Sequence, residues 1–321
     1  MQTVILNNYD ITGMVSKIEW SGSTEEVARS CDITYVNAPY DPVVKSLPRP
    51  KLGDYVTVTD SDAGELFYGR VYGAEKSSSY GTVTANCVDD AQRLLKTKVK
   101  YSFTGKTAEE IASMILADYG FPASGLASTG VVLKTYVADA KSIYDAIQGA
   151  YAEAEKTTGK HYLLGMSGRA LNITVSGSQT TSYVISESTN ITESHYTEKS
   201  DDMVNKVVIY DSNGNRVGEI GDSTSEAQYG LFQEVYTATA NTTNVTAEAT
   251  KKLADAEQSL SVTALGDISC TAGKGITLYD SATEQNGLFW IKNDKHTFEN
   301  NIHTMTLELS FKAITSTSTT S

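Results

Sequence analysis

Residues 201–236 constrain the fold of this chain most, because they contain its clearest β-hairpin signal. A run rich in β-branched residues, 203–217, is interrupted by Asn213-Gly214. An Asn-Gly pair between two such runs predicts a tight turn of type I′, whose two central residues both have positive φ angles. We therefore predict that the chain begins a second all-β segment here.

The first 95 residues are predicted to be strands separated by turns. Segments rich in Val, Ile, Thr and aromatic residues lie at 4–6, 18–20, 31–36, 55–59, 66–72 and 82–88. Between two of them, residues 37–51 hold four of the five prolines of the chain, Pro39, Pro42, Pro48 and Pro50. Proline fixes φ and removes a hydrogen-bond donor, so we predict a stiff surface loop.

The hydrophobic period changes from that of strands to that of helices after residue 95. Thr107 and Glu110 form a capping box at the start of one predicted helix, which ends at Gly120. Ser142 and Asp145 repeat this signal for a second helix that ends before Gly159. Ile111, Met114, Ile115 and Tyr119 are predicted to form the buried face of the first helix, and Ile143, Ala146, Ile147, Ala150, Tyr151 and Ala154 that of the second. A hairpin at 161–164 and 170–175 follows.

The chain then returns to β structure. We predict a strand at 229–237, one helix at 246–260, and strands at 261–265, 276–279 and 288–291. The last strand is the most regular, with Met305, Leu307, Leu309 and Phe311 on one face. The predicted fold class is α+β, mainly β: two small β-barrel or sandwich domains, 1–95 and 186–314, flank an α/β insertion at 96–185. The Ser/Thr tract 315–321 is predicted to be a disordered tail.

Charge and hydropathy exclude several classes of protein. The net charge of −13 argues against a protein that sequesters nucleic acid, since neutralising phosphates needs clustered Lys and Arg. No run approaches the ~18 apolar residues of a membrane helix, and the N-terminus resembles no signal peptide. We predict a soluble protein that is made in the cytosol and has no membrane anchor. Cys31, Cys87 and Cys270 are too widely spaced for a zinc site and are predicted to pack as small hydrophobes.

No residue pattern predicts catalysis. His296 and His303 flank Asn300-Asn301 and could face each other across a hairpin, but ordinary polar positions explain them better than a metal site. Gly273-Lys274-Gly275 fails the phosphate-loop pattern and predicts a turn. Asp89-Asp90 predicts helix capping or turn formation, because adjacent carboxylates on a strand point to opposite faces and cannot act as one acid/base couple. We predict no enzymatic activity, no catalytic or metal-binding residues and no cofactor.

Short motifs in a fixed order resemble one family. They comprise Gly53-Asp54-Tyr55-Val56, 67–71 and 87–90 in the first segment, and 202–207, 229–233 and Leu265-Gly266-Asp267 in the second; Gly287-Leu288-Phe289-Trp290-Ile291 and 298–309 complete the series. This order resembles the tail hub proteins of contractile-tailed phages, in particular the PBSX type of Gram-positive prophages and phage-tail-like bacteriocins. The resemblance covers roughly residues 1–313.

The resemblance implies a homotrimeric ring of pseudo-sixfold symmetry at the centre of a baseplate in an assembled virion. Such a ring joins a hexameric tail tube protein to a trimeric central spike protein, beside baseplate wedge proteins, and DNA or a tape-measure protein passes through its lumen. Candidate interface residues lie in the proline-rich loop, at the hairpin tip and at 229–232, although each could equally belong to a solvated loop or a core strand. They are Asn37, Tyr40, Lys45, Arg49, Lys51, Asp211, Asn213, Gly214, Asn215, Tyr229, Leu231 and Phe232.

Two other functions stay open at this point. A secreted or surface β-rich binding module, such as an adhesin or carbohydrate-binding protein, would explain the surface rich in Tyr and Thr. A cell-wall hydrolase is a third alternative, although the sequence contains no recognisable lytic domain.

Overall fold

The computed structural model describes residues 2–38, 40–42, 48–77, 81–239, 242 and 244–313. The strands in these ranges are β1 Gln2–Leu6, β2 Tyr9–Asp10, β3 Val15–Ser23, β4 Ser30–Val36, β5 Tyr55–Asp60, β6 Gly64–Ser77, β7 Thr82–Asp89, β8 Lys98–Thr107, β9 Ala123–Leu126, β10 Val132–Ser142, β11 Tyr162–Ser167, β12 Ala170–Val175, β13 Thr180–Ser186, β14 Ile191–Lys199, β15 Lys206–Tyr210, β16 Arg216–Gly221, β17 Gln233–Thr237, β18 Glu257–Leu265, β19 Gly275–Asp280, β20 Gln285–Glu299 and β21 Ile302–Ser310. The α-helices are α1 Ala91–Lys96, α2 Ala108–Asp118, α3 Ile143–Thr158, α4 Ser223–Tyr229 and α5 Val245–Thr250. None of these helices is long and apolar enough to cross a membrane.

The fold class is α+β and mainly β, as predicted, with 54% of the described residues in strands against 16% in helices. One sheet contains thirteen of the described strands in the order β14-β18-β21-β20-β3-β4-β7-β6-β5-β1-β2, with β19 pairing to β20 and β13 to β19. The described strands close no barrel. The β domains were predicted to be barrels or sandwiches, and the described part of the chain contains no closed barrel.

The first and last β segments of the chain share this sheet. Strands β3 and β20 pair antiparallel, with Trp20 opposite His296 and Ile18 opposite Phe298. The chain forms two compact units, residues 1–194 with 261–321 and residues 195–260. The β3–β20 pairing brings segments that are far apart in sequence into the first of these units, and the domain limits at 95, 185 and 314 stay a prediction. The predicted tail, 315–321, lies outside the described residues.

Strand alternation follows the predicted pattern. Cys31, Ile33 and Tyr35 on β4 are at most 1% exposed, and Met305 and Leu307 on β21 are equally buried. Inward apolar side chains that alternate with outward polar ones are what a sheet with one covered face requires. All three cysteines are buried free thiols, which agrees with the prediction that they pack as small hydrophobes.

The helices of the middle segment begin and end at the predicted residues. The Thr107 hydroxyl accepts from Glu110 N while the Glu110 carboxylate accepts from Thr107 N, so the capping box is formed. At the C-terminus of α2, Gly120 has a φ of +61°. Phe121 N donates to Leu116 O there, which completes a Schellman motif.

The predicted buried faces of the two helices differ in accuracy. All six residues predicted for α3 are buried. On α2, Ile111 and Ile115 are buried, whereas Met114 and Tyr119 are 45% and 40% exposed, and that part of the prediction is wrong. Ala112 and Leu116 take their places in the core, because the face of α2 that meets α3 lies about one position further along the helix.

Two predicted elements of the 195–260 unit are wrong. Residues 246–260 were predicted as one helix, but α5 ends at Thr250 and β18 begins at Glu257. Apolar residues still recur at helical spacing after Thr250, but Ala254 pairs with Val204 in an antiparallel bridge and does not continue the helix. Residues 229–232 were predicted to begin a strand, but Tyr229 ends α4, whose N-cap Asp222 accepts from Thr224 N and Ser225 N. Only 233–237 of that prediction is a strand.

A buried ion pair ties β20 to the loop before β4. The Arg29 guanidinium donates to both carboxylate oxygens of Asp294, which is 2% exposed and also accepts from Ala272 N at 2.6 Å. Arg29 lies over the Trp20 ring, 4.1 Å from its centre. A Cβ at Gly22 would overlap the guanidinium, so the glycine makes room for this pair.

We predict that Asp294→Asn lowers the free energy of unfolding by about 3–5 kcal/mol, because it leaves the Arg29 charge buried without its partner. The matched control is Asp139→Asn, which removes the exposed pair between Lys100 and Asp139. The control should cost less than about 1 kcal/mol. Urea unfolding of both variants at pH 7 measures the difference, and equal losses would contradict the role of the buried pair.

Candidate functional site

The predicted hairpin tip is present, but its turn differs from the predicted type. Gly214 has a φ of +83°, whereas Asn213 is absent from the described non-glycine residues with positive φ. Gly214 N donates to Asp211 O at 3.1 Å, and Asp211 N donates to Asn215 O at 2.9 Å. These bonds enclose the three-residue loop Ser212-Asn213-Gly214, which is a type I turn followed by a left-handed glycine. The type I′ prediction is therefore wrong.

The Asp211 carboxylate fixes this turn. It accepts from the backbone N–H groups of Asn213 and Asn215 at 2.9 and 2.8 Å, and from the Asn215 side chain at 3.1 Å. Hydrogen bonds from Asn215 and Asn213 lower the pKa of Asp211. An aspartate that bonds to the backbone two residues ahead favours this turn over the type I′ alternative.

The segment 229–232 lies at the other end of β15. Asn205, which is 4% exposed, donates from Nδ2 to Gly230 O at 2.8 Å and accepts from Phe232 N at 2.9 Å. These bonds hold the backbone of the segment while Leu231 stays 59% exposed. Five residues of strand span about 17 Å, so the hairpin tip and this segment are separate surfaces of the 195–260 unit.

The proline-rich loop belongs to the other compact unit. Asn37 N donates to Gly81 O at 2.7 Å, and Lys51 N donates to the Asp54 carboxylate at 2.9 Å. Tyr40 is 98% exposed and Arg49 is also exposed. Lys45 lies outside the described residues. The candidate interface residues thus belong to two compact units, and their role as contacts stays a prediction.

The two predicted facing histidines do meet. His296, with no exposed surface, lies 3.0 Å from Cys270 O through Nε2 and 3.0 Å from His303 Nε2 through Nδ1. A carbonyl only accepts, so His296 donates from Nε2 and its Nδ1 accepts from His303. Since His296 Nδ1 accepts, the His296 ring is neutral in this arrangement. Among the described residues, no cluster of His, Cys, Asp or Glu has the arrangement of a metal site.

Burial lowers the pKa values of His296 and His303 but raises that of Asp89. Burial lowers the pKa of His296, and burial together with His296 lowers the pKa of His303 to about 4. Asp89 accepts from Arg29 N and Ala91 N, at 3.1 and 3.0 Å, and so forms a turn directly before α1, whereas the N-cap residue Asp90 makes no side-chain capping bond. Burial nevertheless raises the pKa of Asp89 to about 7.

Sequence reasoning missed the ion pair between Arg29 and Asp294, whose carboxylate is buried. Arg29 and Asp294 are separated by 265 positions, and no local pattern marks either residue as a partner of the other. The predicted turn at Gly273-Lys274-Gly275 is present directly before and at the start of β19, with Gly273 at a φ of +91°.

Two B. subtilis proteins resemble this chain along nearly its whole length, and the YQBQ-like family model matches residues 18–310. Protein YqbQ of Bacillus subtilis is 26% identical over 312 residues, which cover 92% of this chain and 95% of that protein. Protein XkdQ of the phage-like element PBSX of the same organism is 25% identical over 277 residues, with 81% and 85% covered. The predicted resemblance to the PBSX type is confirmed.

Solved structures of tail proteins share the fold. The 43 kDa tail protein of prophage MuSo2 from Shewanella oneidensis has a TM-score of 0.71 at 15% identity, with 96% of this chain and 97% of that chain covered. A type VI secretion component of Escherichia coli, described as similar to the T4 tail proteins gp27 and gp5, has a TM-score of 0.54 at 8% identity, with 98% and 77% covered. The fold is that of phage tail proteins.

We predict that Gly214→Val destabilises the 195–260 unit by about 1–2 kcal/mol, because a β-branched residue is strained at positive φ. Asn213→Ala should cost less than about 0.5 kcal/mol, since Asn213 does not need that conformation. Hydrogen exchange of the β15 and β16 amides measures both effects. Equal losses from the two substitutions would instead indicate the type I′ turn.

We predict opposite pH effects for Asp89 and His303. Between pH 4 and 6.5 the unfolded chain protonates His303, whose ordinary pKa is 6.5, before the folded chain does, so this group makes stability rise with pH. Between pH 3.8 and 7 the unfolded chain ionises Asp89 first, so this group makes stability fall as pH rises.

The stability deficit of Asp89→Asn relative to the unmodified protein should therefore shrink from pH 4 to 7. The deficit of His303→Asn, which keeps an N–H donor, should instead grow over the same interval. Urea unfolding at pH 4, 5.5 and 7 measures both trends. Parallel pH dependences of the two variants would contradict the pKa assignments.

Proposed function

Because the chain belongs to the YQBQ-like family, we propose that it is the structural hub of the baseplate of a contractile phage tail or tail-like particle. The agreement in fold with the MuSo2 tail protein over 96% of this chain carries the proposal. The PBSX relative adds support, because it comes from a phage-like element.

The proposed mechanism is symmetry adaptation. Each subunit supplies two β segments, β1–β7 and β18–β21, so three subunits would supply six similar elements in a ring. Such a ring can join a hexameric tube to a trimeric spike without further subunits. Both segments lie in one sheet through β3 and β20, and this continuity suits a part that transmits force during contraction.

The net charge of −13 supports a conduit for DNA or a tape-measure protein. Acidic walls repel phosphates, so nucleic acid would pass without being retained. We propose a non-enzymatic role in which the proline-rich loop, the hairpin tip and residues 229–232 contact neighbouring subunits, tube, spike or wedge proteins.

We predict that the purified chain forms a trimer of about 104 kDa, three times the subunit mass of 34.6 kDa. Light scattering coupled to gel filtration measures this mass, and electron micrographs should show rings that stack on tube hexamers. A stable 34.6 kDa monomer that binds glycans would contradict the hub and favour a binding module. Turnover in a peptidoglycan-release assay would contradict the non-enzymatic role.

Two exposed hydrophobic residues test which surfaces join the subunits. Tyr40→Asp in the proline-rich loop or Leu231→Asp should raise the dissociation constant of the trimer at least tenfold, because a charge would have to be buried in the contact. Val132→Asp is the matched control, since Val132 is 64% exposed on β10 of the α/β segment. If only the control weakens the trimer, the proposed surfaces are wrong.

A further inference from the structure

Positive charge is concentrated in one stretch of this acidic chain. Residues 91–108 hold five Lys and Arg side chains and no Asp or Glu, whereas the whole chain has a net charge of −13. Three of these cations pair with carboxylates: Arg93 with Asp90, Lys100 with Asp139 and Lys106 with Glu110. Lys96 and Lys98 are exposed and form no ion pair within the described part of the chain.

A third lysine without an ion pair lies beside these two. Lys98 on β8 is opposite Ser142 on β10, so the exposed Lys141 lies at the same end of this two-stranded sheet. Lys96 ends α1 only two residues before Lys98. Lys96, Lys98 and Lys141 are called the basic cluster. Like charges this close repel one another, so carboxylates from a partner would stabilise the cluster.

A cluster of exposed carboxylates lies in the other compact unit. Residues 195–260 carry eleven Asp and Glu side chains against five Lys and Arg. Val204 and Ala254 form an antiparallel bridge, so the residues before Val204 lie beside the residues after Ala254. This bridge gathers four exposed carboxylates that form no ion pair among the described residues, and they are called the acidic cluster: Asp201, Asp202, Asp255 and Glu257.

The acidic cluster lies next to a surface already proposed as a contact. Val204 is followed by Asn205, whose side chain bonds to Gly230 O and Phe232 N at 2.8 and 2.9 Å. The exposed side chain of Leu231 is thereby held close to the cluster. An apolar side chain with charged groups around it has the composition of a protein interface, in which an apolar centre is surrounded by a polar rim.

We infer that the basic cluster of one subunit contacts the acidic cluster of the next copy of this chain. The clusters are opposite in sign, hold three cations and four carboxylates, and lie in different compact units, so each copy presents one cluster to each of its two neighbours. Head-to-tail contacts of this kind close a ring. Complementary charges select the partner and its register more than they add affinity. The inference rests on the proposed trimer and names two surfaces that meet in it.

Charge reversal of either cluster tests this contact in the whole chain. Lys96→Glu together with Lys98→Glu should raise the dissociation constant of the trimer at least about tenfold, because like charges would then face each other. Asp255→Lys together with Glu257→Lys should do the same. Light scattering over a dilution series at about 0.1 M salt measures the dissociation constant, since exposed charges still interact over about 10 Å there.

A matched control separates the contact from a general effect of net charge. Lys156→Glu together with Lys160→Glu changes the net charge as much as the reversal of the basic cluster does, at exposed positions at the end of α3 and just after it. This control should leave the dissociation constant unchanged. Reversal of the acidic cluster moves the net charge toward zero, so general repulsion cannot explain a weaker trimer in that variant.

Mixing the two reversed variants shows whether the clusters meet between copies. At a concentration where each variant alone is monomeric, an equimolar mixture should contain complexes of at least about 69 kDa, twice the subunit mass of 34.6 kDa. In these complexes the new glutamates of one variant face the new lysines of the other. A mixture that stays monomeric would overturn the inference, and so would a trimer that neither reversal weakens. An unmodified chain that forms no trimer would overturn the hub proposal as well, so the two failures are distinguishable.

Discussion

The pairing of β3 with β20, with the Arg29–Asp294 ion pair beside it, is the constraint on which the rest of the described sheet depends. Pairing in a sheet has a period of two, so a slip of one residue would move every buried side chain of β20 to the other face. The ion pair opposes such a slip, because Asp294 lies opposite Gly22 and only that register leaves room for the guanidinium. A buried ion pair is weak evidence for stability, but it specifies register well.

This constraint explains how the chain is arranged. Once β3 and β20 are paired, the segments between them leave the sheet and return to it. The α/β segment has its own core of α1 to α3 with the strands β8 to β12, and residues 195–260 form a compact unit with a small core of Val207, Ile209 and Ala249. The same constraint brings Trp20, Arg29 and His296 together, so the most unusual polar groups of the protein lie where its two ends meet.

The sequence predicted the elements whose signals are local. Thr107 with Glu110 and Ser142 with Asp145 marked two helices correctly, because a cap and its partner lie three residues apart. The prediction of one helix at 246–260 was wrong because the spacing of apolar residues does not distinguish a helix from a turn followed by a strand. Pairing with distant residues, such as the bridge between Ala254 and Val204, determines the structure there. The type I′ turn failed because Asp211, two positions before Asn213, fixed a different turn. Among the site residues, His296 and His303 were correctly predicted to face each other across their short turn, whereas Arg29 and Asp294 had no local signal.

Hydrogen exchange of β3 and β20 tests the central claim most directly. If their pairing holds the sheet together, the amides of Ile18 and Trp20 on β3 and of His296 and Phe298 on β20 exchange in the same global unfolding step, with equal free energies. The account is contradicted if β20 and β21 exchange in an earlier step while β3 to β7 stay protected, because the two β segments would then be independent domains.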